Sequence, residues 1–425
     1  MAMKESGIEW VGLIPDTWSV IPNKYVMHKE KNLCEKWTGE DVMSLTMNGV
    51  IVRDLQNPTG KMPTTFDGYQ YIKDGDLLMC LFDIDVTPRC VGKVTHDGVT
   101  SPAYSNFKVH DNASRDYFYY YYLMVDNTKE LLHLAKNLRH SFTEEQLGQL
   151  KVPMPPLSEQ QAIANYLDET CSKIDEIIAE AKASIDEYKE LRLSVLTSAT
   201  TKGLSNIAEY KNSGSRWVNK IPDDWSKMKI HYIIDMPVID GPHVSPELVG
   251  EGVDYISANA IVDGKIDFSK RRGFITREYS NECRKRYSPQ KNDILVVKLG
   301  ASTGKMAMVG DFTDFDIWVP IAVVRCKKEV NAKYVYYSMS SKYFKDEIKD
   351  GWTFGTQETL GVKTLESLHI FLPSRVEQDK IVRYLDEQLP KYNSLIAEKE
   401  SLINDLEAYK KSLIYEVVTG KRKVV

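Results

Sequence analysis

Residues 6–19 read SGIEWVGLIPDTWS and residues 213–226 read SGSRWVNKIPDDWS, so one short signature occurs twice in a chain of 425 residues. A shift of 207 aligns residues 4–19 with 211–226 and leaves ten of these sixteen positions identical. Solenoid repeats have about 20–50 residues, so a repeat this far apart is not of that kind. The signature therefore predicts a duplicated domain.

A second pair of segments supports the duplication. Residues 150–201 match residues 368–419 at a constant shift of 218 without a gap. Apolar side chains recur in both copies at the three- and four-residue spacing of one helix face. In the first copy these positions are Ile174, Ile178, Ala181, Ile185, Tyr188, Leu191 and Val195, and in the second they are Tyr392, Ile396, Lys399, Ile403, Leu406, Tyr409 and Leu413.

The two stripes predict an intramolecular coiled coil, although each helix packing only on its own domain is an open alternative. Helices of about 27 residues would be about 40 Å long at 1.5 Å per residue. Pro390 predicts a break in the second helix, because proline cannot donate the hydrogen bond that continues the ladder.

The regions between signature and helix, about 20–150 and 227–368, have the short apolar runs of β-strands. Examples are DLLMCLF at 76–82, DILVVKL at 293–299 and IAVVRC at 321–326. The tyrosine-rich segments DYFYYYYL at 116–123 and KYVYYSMS at 333–340 align at a shift of 217. We interpret them as helices packed into their own domains, because aromatic side chains at helical spacing usually belong to a core, although stacking on bases is the alternative.

Composition limits the class of protein. Apolar residues make up 42% and charged residues 27%, and the formal net charge is −5, so any DNA-binding surface must be local. The start, MAMKESGIEW, has no apolar segment of a signal peptide, and no apolar run approaches the length of a membrane span. We therefore expect a cytoplasmic protein with no membrane segment.

Charge is unevenly placed along the chain. Residues 265–305 contain eleven basic and four acidic residues, whereas residues 159–190 contain nine acidic and three basic residues. The basic stretch is a candidate for phosphate contacts, and the acidic helix is a candidate for binding protein. Residues 53–115 are nearly balanced, with seven basic and eight acidic residues, so DNA reading there would depend on few side chains.

Motifs for catalysis are weak. GASTGK at 300–305 has one residue too few for a phosphate loop and is followed by Met306, so we interpret it as a strand–turn–strand. Asp223 with Asp263-x-Lys265 loosely imitates a nuclease motif, and chance is the better explanation. The histidines form no HxH or HxxxH and the cysteines no CxxC, so no catalytic or metal residue is predicted.

Taken together, these segments resemble the specificity subunits of type I restriction–modification systems, over nearly the whole chain. The likeness includes both signatures, the helix starts MPPLSEQQAIANYLDE and LPS…EQDKIVRYLDE, and the helix ends LTSATTKGL and IYEVVTGKR. It also includes segments of the variable regions, namely GVIVRDL, GDLLMC and GVTSPAY in the first, and GPHVSPE, NDILVVKLGASTGK and GTQETL in the second. Each string alone is weak, but their order and duplication are specific.

The resemblance implies an α+β fold with two globular α/β target-recognition domains. Two long antiparallel helices, forming an intramolecular coiled coil, would join them in a pseudo-twofold duplication. The expected domains are residues 1–156 and 205–373 for target recognition, and residues 157–204 and 374–425 for the helical spacers.

The resemblance also implies a non-catalytic role. Each recognition domain would read one half of a bipartite site in double-stranded DNA, and the helices would space the halves and dock two methylation subunits. Restriction subunits are left open. No cofactor is expected on this chain, whereas S-adenosylmethionine, ATP and magnesium are expected on the partners.

Candidate contact residues follow from the basic and polar positions. Arginine and lysine can reach guanine edges and glutamine adenine edges, although phosphate contact or plain surface is equally open for each. The DNA candidates are Lys61, Arg89, Lys93, Arg139, His140, His243, Lys270, Arg271, Arg272, Lys298, Ser302, Lys305 and Gln357. The candidates for contact with partner subunits are Glu159, Gln160, Tyr166, Glu377, Gln378 and Tyr384.

Two other functions remain open from the sequence. The chain would be a stand-alone nuclease or methyltransferase if the isolated chain had activity. It would be a helical scaffold if the assembled complex showed no salt-dependent DNA binding.

Overall fold

The computed structural model describes residues 2–58, 62–87, 89–135, 141–204, 209–351 and 359–424. These residues form two compact units. Unit 1 consists of Met1–Lys182 and Glu400–Val425, and unit 2 consists of Ala183–Lys399. Both boundaries fall inside long helices, so each of these helices begins in one unit and ends in the other.

Unit 1 begins with short strands and continues with helices. Its strands are β1 (Met3–Glu5), β2 (Leu13–Pro15), β3 (Ser19–Pro22), β4 (Met27–Glu30), β5 (Leu33–Cys34), β6 (Val42–Thr46), β7 (Gly49–Val52), β8 (Tyr69–Ile72), β9 (Leu77–Met79), β10 (Val91–Lys93), β11 (Gly98–Thr100), β12 (Ser105–Val109) and β13 (Lys151–Met154). Its helices are α1 (Arg115–Asn127), α2 (Glu130–Leu134), α3 (Glu144–Gln149) and the start of α4 (Leu157–Lys202).

Unit 2 also has strands followed by helices, but two further helices, α5 and α6, lie among its strands. Its strands are β14 (Tyr210–Asn212), β15 (Lys220–Pro222), β16 (Ser226–Lys229), β17 (Ile239–Asp240), β18 (Val253–Ile256), β19 (Ile261–Val262), β20 (Lys265–Ile266), β21 (Gly273–Ile275), β22 (Ile294–Val297), β23 (Met306–Met308), β24 (Phe315–Ile317), β25 (Ile321–Val324) and β26 (His369–Leu372). Its helices are α5 (Ile230–Ile233), α6 (Arg277–Arg284), α7 (Ala332–Ser340), α8 (Lys342–Asp350), α9 (Val362–Ser367) and the start of α10 (Arg375–Val418).

The sheets of the two units correspond. In unit 1 one sheet has the order β10-β9-β12-β4, and another has the order β5-β8-β11-β6-β7 with β11 and β6 parallel. In unit 2 the matching sheets have the orders β17-β25-β22-β23 and β21-β18-β24, with β18 and β24 parallel. Leu77 pairs with Lys93 in the first unit and Ile294 pairs with Met308 in the second, so the registers agree as well.

These pairings confirm several predictions from the sequence. The apolar runs at 76–82, 293–299 and 321–326 contain β9, β22 and β25, whose side chains are buried throughout. GASTGK joins β22 to β23, as a strand–turn–strand should. The tyrosine-rich segments lie in α1 and α7, where most of the tyrosines are buried. Alternating burial is absent in these central strands because both faces of the sheet are covered.

The long helices correct two expectations. Helix α4 has 46 residues and α10 has 44, so both far exceed the expected length. Helix α10 also continues through Pro390. Pro390 is exposed, so water can satisfy the carbonyl group that loses its backbone partner.

Within each unit the two long helices lie against each other. In unit 1, Lys410 Nζ on α10 lies 2.6 Å from Asp175 Oδ2 on α4. In unit 2, Arg192 donates a 2.6 Å hydrogen bond to Asn393 Oδ1. Residues 192 and 410, like 175 and 393, are 218 apart, so both contacts are copies of one contact. The paired residue numbers fall along α10 as they rise along α4, so the helices are antiparallel.

The apolar stripes are confirmed for most of their length. Ile174, Ile178, Ala181 and Ile185 are buried on α4, and Ile396, Ile403 and Leu413 are buried on α10. Leu191 and Tyr409 are exceptions, because they are 49% and 46% exposed. These two positions are equivalent, so the departure occurs at the same point in both copies.

The end of α10 closes the core of unit 1. Tyr117 donates a 2.9 Å hydrogen bond to the Val418 carbonyl, and its ring lies 6.5 Å from the ring of Trp18, edge to face. Gly420 follows at a φ of +71°, packed against Pro15 and Trp18. The repeated signature therefore receives the end of a helix that begins in unit 2.

Within the described residues, no helix combines the length and apolar character that a membrane span requires.

Replacing Gly420 with alanine should destabilise unit 1 more than replacing Gly7 with alanine. Both glycines have left-handed backbones, at +71° and +67°, which costs an L-residue about 1–2 kcal/mol. A Cβ at Gly420 would also lie 2.4 Å from Pro15 Cδ, whereas one at Gly7 would meet nothing within 4 Å. We expect an added loss of about 1–3 kcal/mol in urea unfolding. Equal losses would contradict this packing.

Candidate nucleic-acid interface

In each unit a buried glutamine on the long helix anchors the tyrosine-rich helix to it. In unit 1, Gln160 Oε1 accepts a 2.8 Å hydrogen bond from Ser114 N, and Gln160 Nε2 donates to the Pro155 carbonyl. In unit 2, Gln378 makes the same two bonds to Asn331 N and Pro373 O. Since Ser114 and Asn331 cap α1 and α7, these bonds fix the tyrosine-rich helix against the long helix.

A tyrosine and an aspartate form a second repeated contact, about two turns further along the long helix. Tyr120 donates a 2.7 Å hydrogen bond to Asp168 in unit 1, and Tyr337 donates to Asp386 in unit 2. A lysine joins each pair, but from a different element. Lys93 on β10 lies 2.9 Å from Asp168, whereas Lys333 on α7 lies 2.7 Å from Asp386. The scaffold is therefore conserved between the units while the surrounding charges change.

Beside Asp386, unit 2 contains a groove of about 1640 Å³ between the helices and the sheet edge. Its walls come from α4, α7, α8, α10, the β19–β20 hairpin and the turn before β23. Eight basic and three acidic side chains line it. The basic residues are Lys189, Arg192, Lys265, Lys270, Lys305, Lys333, Lys345 and Lys349, and the acidic ones are Glu190, Asp263 and Asp386.

The β19–β20 hairpin places Lys265 at this groove. Asp263 and Gly264 form its turn with φ values of +47° and +80°. A Cβ on Gly264 would lie 2.3 Å from the Tyr336 hydroxyl, so only glycine allows the turn to approach α7 this closely. The same turn brings Lys265 to the groove wall.

The turn between β22 and β23 places Ser302 and Lys305 at the same groove. Thr303 N donates to the Gly300 carbonyl at 2.9 Å, and Lys305 N donates to the Ser302 carbonyl at 3.0 Å. Gly300 and Gly304 supply the left-handed backbone that the turn requires. Three of the predicted DNA contacts, Lys270, Ser302 and Lys305, thus line one surface.

The groove brings cations together with few counter-charges. Partial burial, then the nearby Arg192 and Lys349, lower the pKa of Lys345 below its usual value. Lys333 has Asp386 as a close carboxylate. In the part of the chain that the structure describes, no carboxylate lies within 4.0 Å of Lys265, Lys305 or Lys345. An anion bound here would be stabilised by several uncompensated charges at once.

The structure does not support Lys298 as a surface contact. Lys298 is buried, and its Nζ lies 2.9 Å from Asp240 Oδ2. Burial alone would raise the pKa of Asp240, but the Lys298 bond and the nearby His243 and Arg286 lower it overall. His243 stays 69% exposed at 3.3 Å from Asp240, so it remains available at the surface.

The adjacent arginines stack on aromatic rings. The Arg272 guanidinium lies 3.6 Å from the centre of the Trp318 ring and is exposed. Arg271 lies 4.7 Å from the Phe274 ring and also pairs with Asp254. Stacking holds a guanidinium in place while leaving most of its donors free, so Arg272 is the better placed of the two for an outside ligand.

The structure gives less support to the remaining candidates for DNA contact. Lys61, Arg139, His140 and Gln357 lie outside the described residues. In unit 1, Lys93 is held by Asp168 and by Asp116, 3.3 Å away, and Arg89 is half-buried.

The candidates for partner contact divide by burial. The structure does not support Gln160 and Gln378 as contacts, because both are buried and bonded within their own units. Glu159 accepts a 3.0 Å hydrogen bond from the Trp18 ring and so also anchors the signature. The other candidates, Tyr166, Glu377 and Tyr384, are half-buried and stay predictions.

Sequence reasoning missed most of the groove. No local basic run marked these residues, because α4 is far from α7 and α8 in sequence. They are Lys189 and Arg192 on α4, Lys333 on α7, and Lys345 and Lys349 on α8. Only tertiary packing brings these side chains to one surface, so no sequence pattern marks them as a group. Among the described residues, no group of three or more histidine, cysteine, aspartate or glutamate side chains is arranged to hold a metal ion.

A family model described as the type I restriction modification DNA specificity domain matches residues 89–187 and 222–405. Together these segments are well over half of the chain. The chain belongs to this family. The match covers parts of both units and of both long helices, and it includes the glutamine and tyrosine–aspartate contacts of both units.

Relatives with known names agree with the family. The type I restriction enzyme EcoBI specificity subunit of Escherichia coli is 25% identical over 323 residues, which are 73% of this chain and 66% of that protein. The MjaVIII specificity subunit of Methanocaldococcus jannaschii is 25% identical over 281 residues, which are 65% of this chain and 63% of that protein. The match thus spans slightly less than two thirds of the length of either relative.

A solved structure shows the same fold. The chain comes from a study of complex assembly and conformational transition of the type I R-M system, and it matches with a TM-score of 0.71. The two are 14% identical, and the match covers 96% of this chain and 99% of the other. The α+β fold is therefore shared.

Replacing Gln378 with alanine should destabilise unit 2, because it leaves the buried Asn331 N–H and Pro373 carbonyl without partners. The expected loss is about 1–3 kcal/mol in urea unfolding. Gln388 on the same helix is less buried and provides the control, with a loss of about 0.5 kcal/mol or less on change to alanine. Similar losses for both variants would refute the anchoring role.

Proposed function

We propose that this chain is the non-catalytic specificity subunit of a type I restriction–modification complex. Each unit reads one half of a bipartite site in double-stranded DNA. The observation that carries this proposal is the repeat of one anchoring scaffold under two unlike recognition surfaces. The glutamine anchor and the tyrosine–aspartate contact recur in both units, whereas the charges around them differ.

Unlike surfaces on a common scaffold support two different half-sites. Sequence is read at base edges by a few side chains, while contacts to phosphates set position. Loops such as the GPH segment of unit 2, which contains His243, have no copy in unit 1. The two halves of the site should therefore differ in sequence.

We assign the spacing of the halves to the long helices, because both run from one unit into the other. Half-sites read by related domains commonly lie about one turn of DNA, or about 34 Å, apart. A length change within α4 and α10 would then alter the spacer and leave the two halves unchanged.

We further propose that two methylation subunits dock on these helices. Exposed apolar side chains support this, because they recur at equivalent positions. Unit 1 exposes Ile177 and Tyr409, and unit 2 exposes their equivalents Leu395 and Leu191. Exposed apolar residues repeated in this way are typical of protein-binding surfaces. Two equivalent surfaces suit two copies of one partner.

Cofactors belong to the partners in this proposal. We assign S-adenosylmethionine to the methylation subunits, and ATP and magnesium to restriction subunits where these are present. We place the assembled complex in the cytoplasm, where it meets chromosomal DNA.

The direct test is to co-express the chain with its methylation subunit and map methylated adenines across a genome by long-read sequencing. We expect a split motif, with two defined halves of different sequence around a fixed number of unspecified bases. A continuous motif would contradict the two-reader proposal. A stable complex that methylates no defined motif would favour a scaffold instead.

Each pair of exposed apolar residues should be needed for the binding of one methylation subunit. Changing Leu191 and Leu395 to serine should remove one methylation subunit, and changing Ile177 and Tyr409 to serine should remove the other, as seen by native mass spectrometry. Glu398, which is exposed on α10, gives the control on change to serine. If both double variants still bind two subunits, docking on these positions is wrong.

A further inference from the structure

The two units differ in charge at equivalent positions around the long helices. In unit 2, Arg192 meets the neutral Asn393 and keeps its full positive charge. In unit 1, the equivalent Lys410 meets Asp175, which cancels it. The same contact is therefore a source of positive potential in one unit and neutral in the other.

The tyrosine-rich helices α1 and α7 show the same difference in charge. Lys333 on α7 aligns with Asp116 on α1, since the tyrosines on these helices align at a shift of 217. Asp116 lies 3.3 Å from Lys93, which is also 2.9 Å from Asp168. One lysine in unit 1 thus faces two carboxylates, whereas in unit 2 the position of the second carboxylate holds a lysine.

Two further positions, one on the turn before β23 and one on the long helices, differ in charge in the same way. The strand registers place Met308 opposite Ile294 as Lys93 lies opposite Leu77, so Lys305 aligns with Cys90. On the long helices, Lys189 of unit 2 aligns with Glu407 of unit 1 at the shift of 218. At both positions a positive charge of unit 2 is absent from unit 1.

We propose that the groove of unit 2 binds the DNA phosphate backbone and supplies most of the sequence-independent affinity of this chain, whereas the equivalent surface of unit 1 supplies little. This inference rests on the proposed function. It adds that the two readers are unequal, with unit 2 as the electrostatic anchor and unit 1 as a reader that depends on few charges.

The physics of phosphate binding makes the proposal measurable. Each phosphate neutralised by a lysine or arginine releases condensed counterions, so the logarithm of the binding constant falls with the logarithm of salt concentration by about 0.9 per contact. Groove lysines without a carboxylate gain most from a phosphate, because no internal ion pair must be broken. Lys265, Lys305 and Lys345 meet this condition among the described residues.

The experiment measures the salt dependence of DNA binding by the complex with its methylation subunit, on a duplex with the methylated motif and on a scrambled duplex. The test variant changes Lys265, Lys305 and Lys345 to glutamine. The matched control changes Lys108, Lys151 and Lys411, which are exposed in unit 1, to glutamine. The slope is the decrease in the logarithm of the binding constant per unit increase in the logarithm of salt concentration. We expect this slope to be smaller by about 2–3 on both duplexes for the groove variant and unchanged for the control.

A pair of single substitutions tests the asymmetry without removing lysines, in case the triple variant fails to fold. Asn393→Asp copies into unit 2 the ion pair of unit 1, and Asp175→Asn copies into unit 1 the neutral contact of unit 2. We expect Asn393→Asp to lower the slope by up to about 1, because Arg192 is then paired internally. Asp175→Asn should leave the slope unchanged.

The results separate the inference from the proposed function. A split methylation motif that persists while the groove variants bind with a wild-type slope would overturn the groove as the phosphate-binding surface. Equal losses of slope in the groove variant and the unit 1 control would overturn the asymmetry. Loss of the proposed function itself would appear as the absence of a split motif in the wild-type complex, irrespective of salt.

Discussion

The burial of each long-helix end inside the core of a unit is the contact on which the fold depends. In unit 1, Leu413, Ile414, Val417 and Val418 of α10 are fully buried beside Trp18 and Tyr117. In unit 2, Leu196 and Ala199 of α4 belong to the same cluster as Trp225 and Tyr334. Fully burying one such aliphatic side chain contributes about 1.5–3 kcal/mol to the free energy of folding. Each core therefore depends for part of its stability on a helix that begins in the other unit.

This arrangement explains why the signature, the variable region and the helix are all duplicated. The signature tryptophan and the tyrosine-rich helix form the cavity that receives a helix end, and the buried glutamine fixes the helix start. These contacts restrict the residues that form them, because buried polar groups need their partners. The loops outside these contacts carry no such restriction and are free to differ, as the proposed reading of two unlike half-sites requires.

Charge follows the opposite rule from packing in this chain. The packing contacts are copied between units, whereas ion pairs at the same positions are replaced. Lys410 with Asp175 becomes Arg192 with Asn393, and Asp116 becomes Lys333. A net charge of −5 for the whole chain therefore hides a groove with eight basic and three acidic side chains. Local potential decides where a polyanion binds, and average charge does not.

The sequence predicts what repeats and what is locally periodic. The shift of 218 revealed the paired helices, and runs such as DILVVKL marked central strands. It could not reveal the groove, because Arg192, Lys305 and Lys345 meet only through tertiary packing. Nor could it show that Lys298 is buried against Asp240, since a lysine after a strand looks the same whether its partner is a carboxylate or a phosphate. Nor does the stripe reveal that Leu191 and Tyr409 are exposed, because the spacing of apolar residues does not show where the helix contacts end.

Exchanging one recognition surface tests the central claim that each unit reads its own half-site. Residues 227–368 would be replaced by the corresponding segment of a family member with a different methylation motif, and methylated adenines would be mapped again. The account predicts that one half of the motif changes to that of the donor while the other half and the spacer length stay the same. A change in both halves, or in neither, would contradict it.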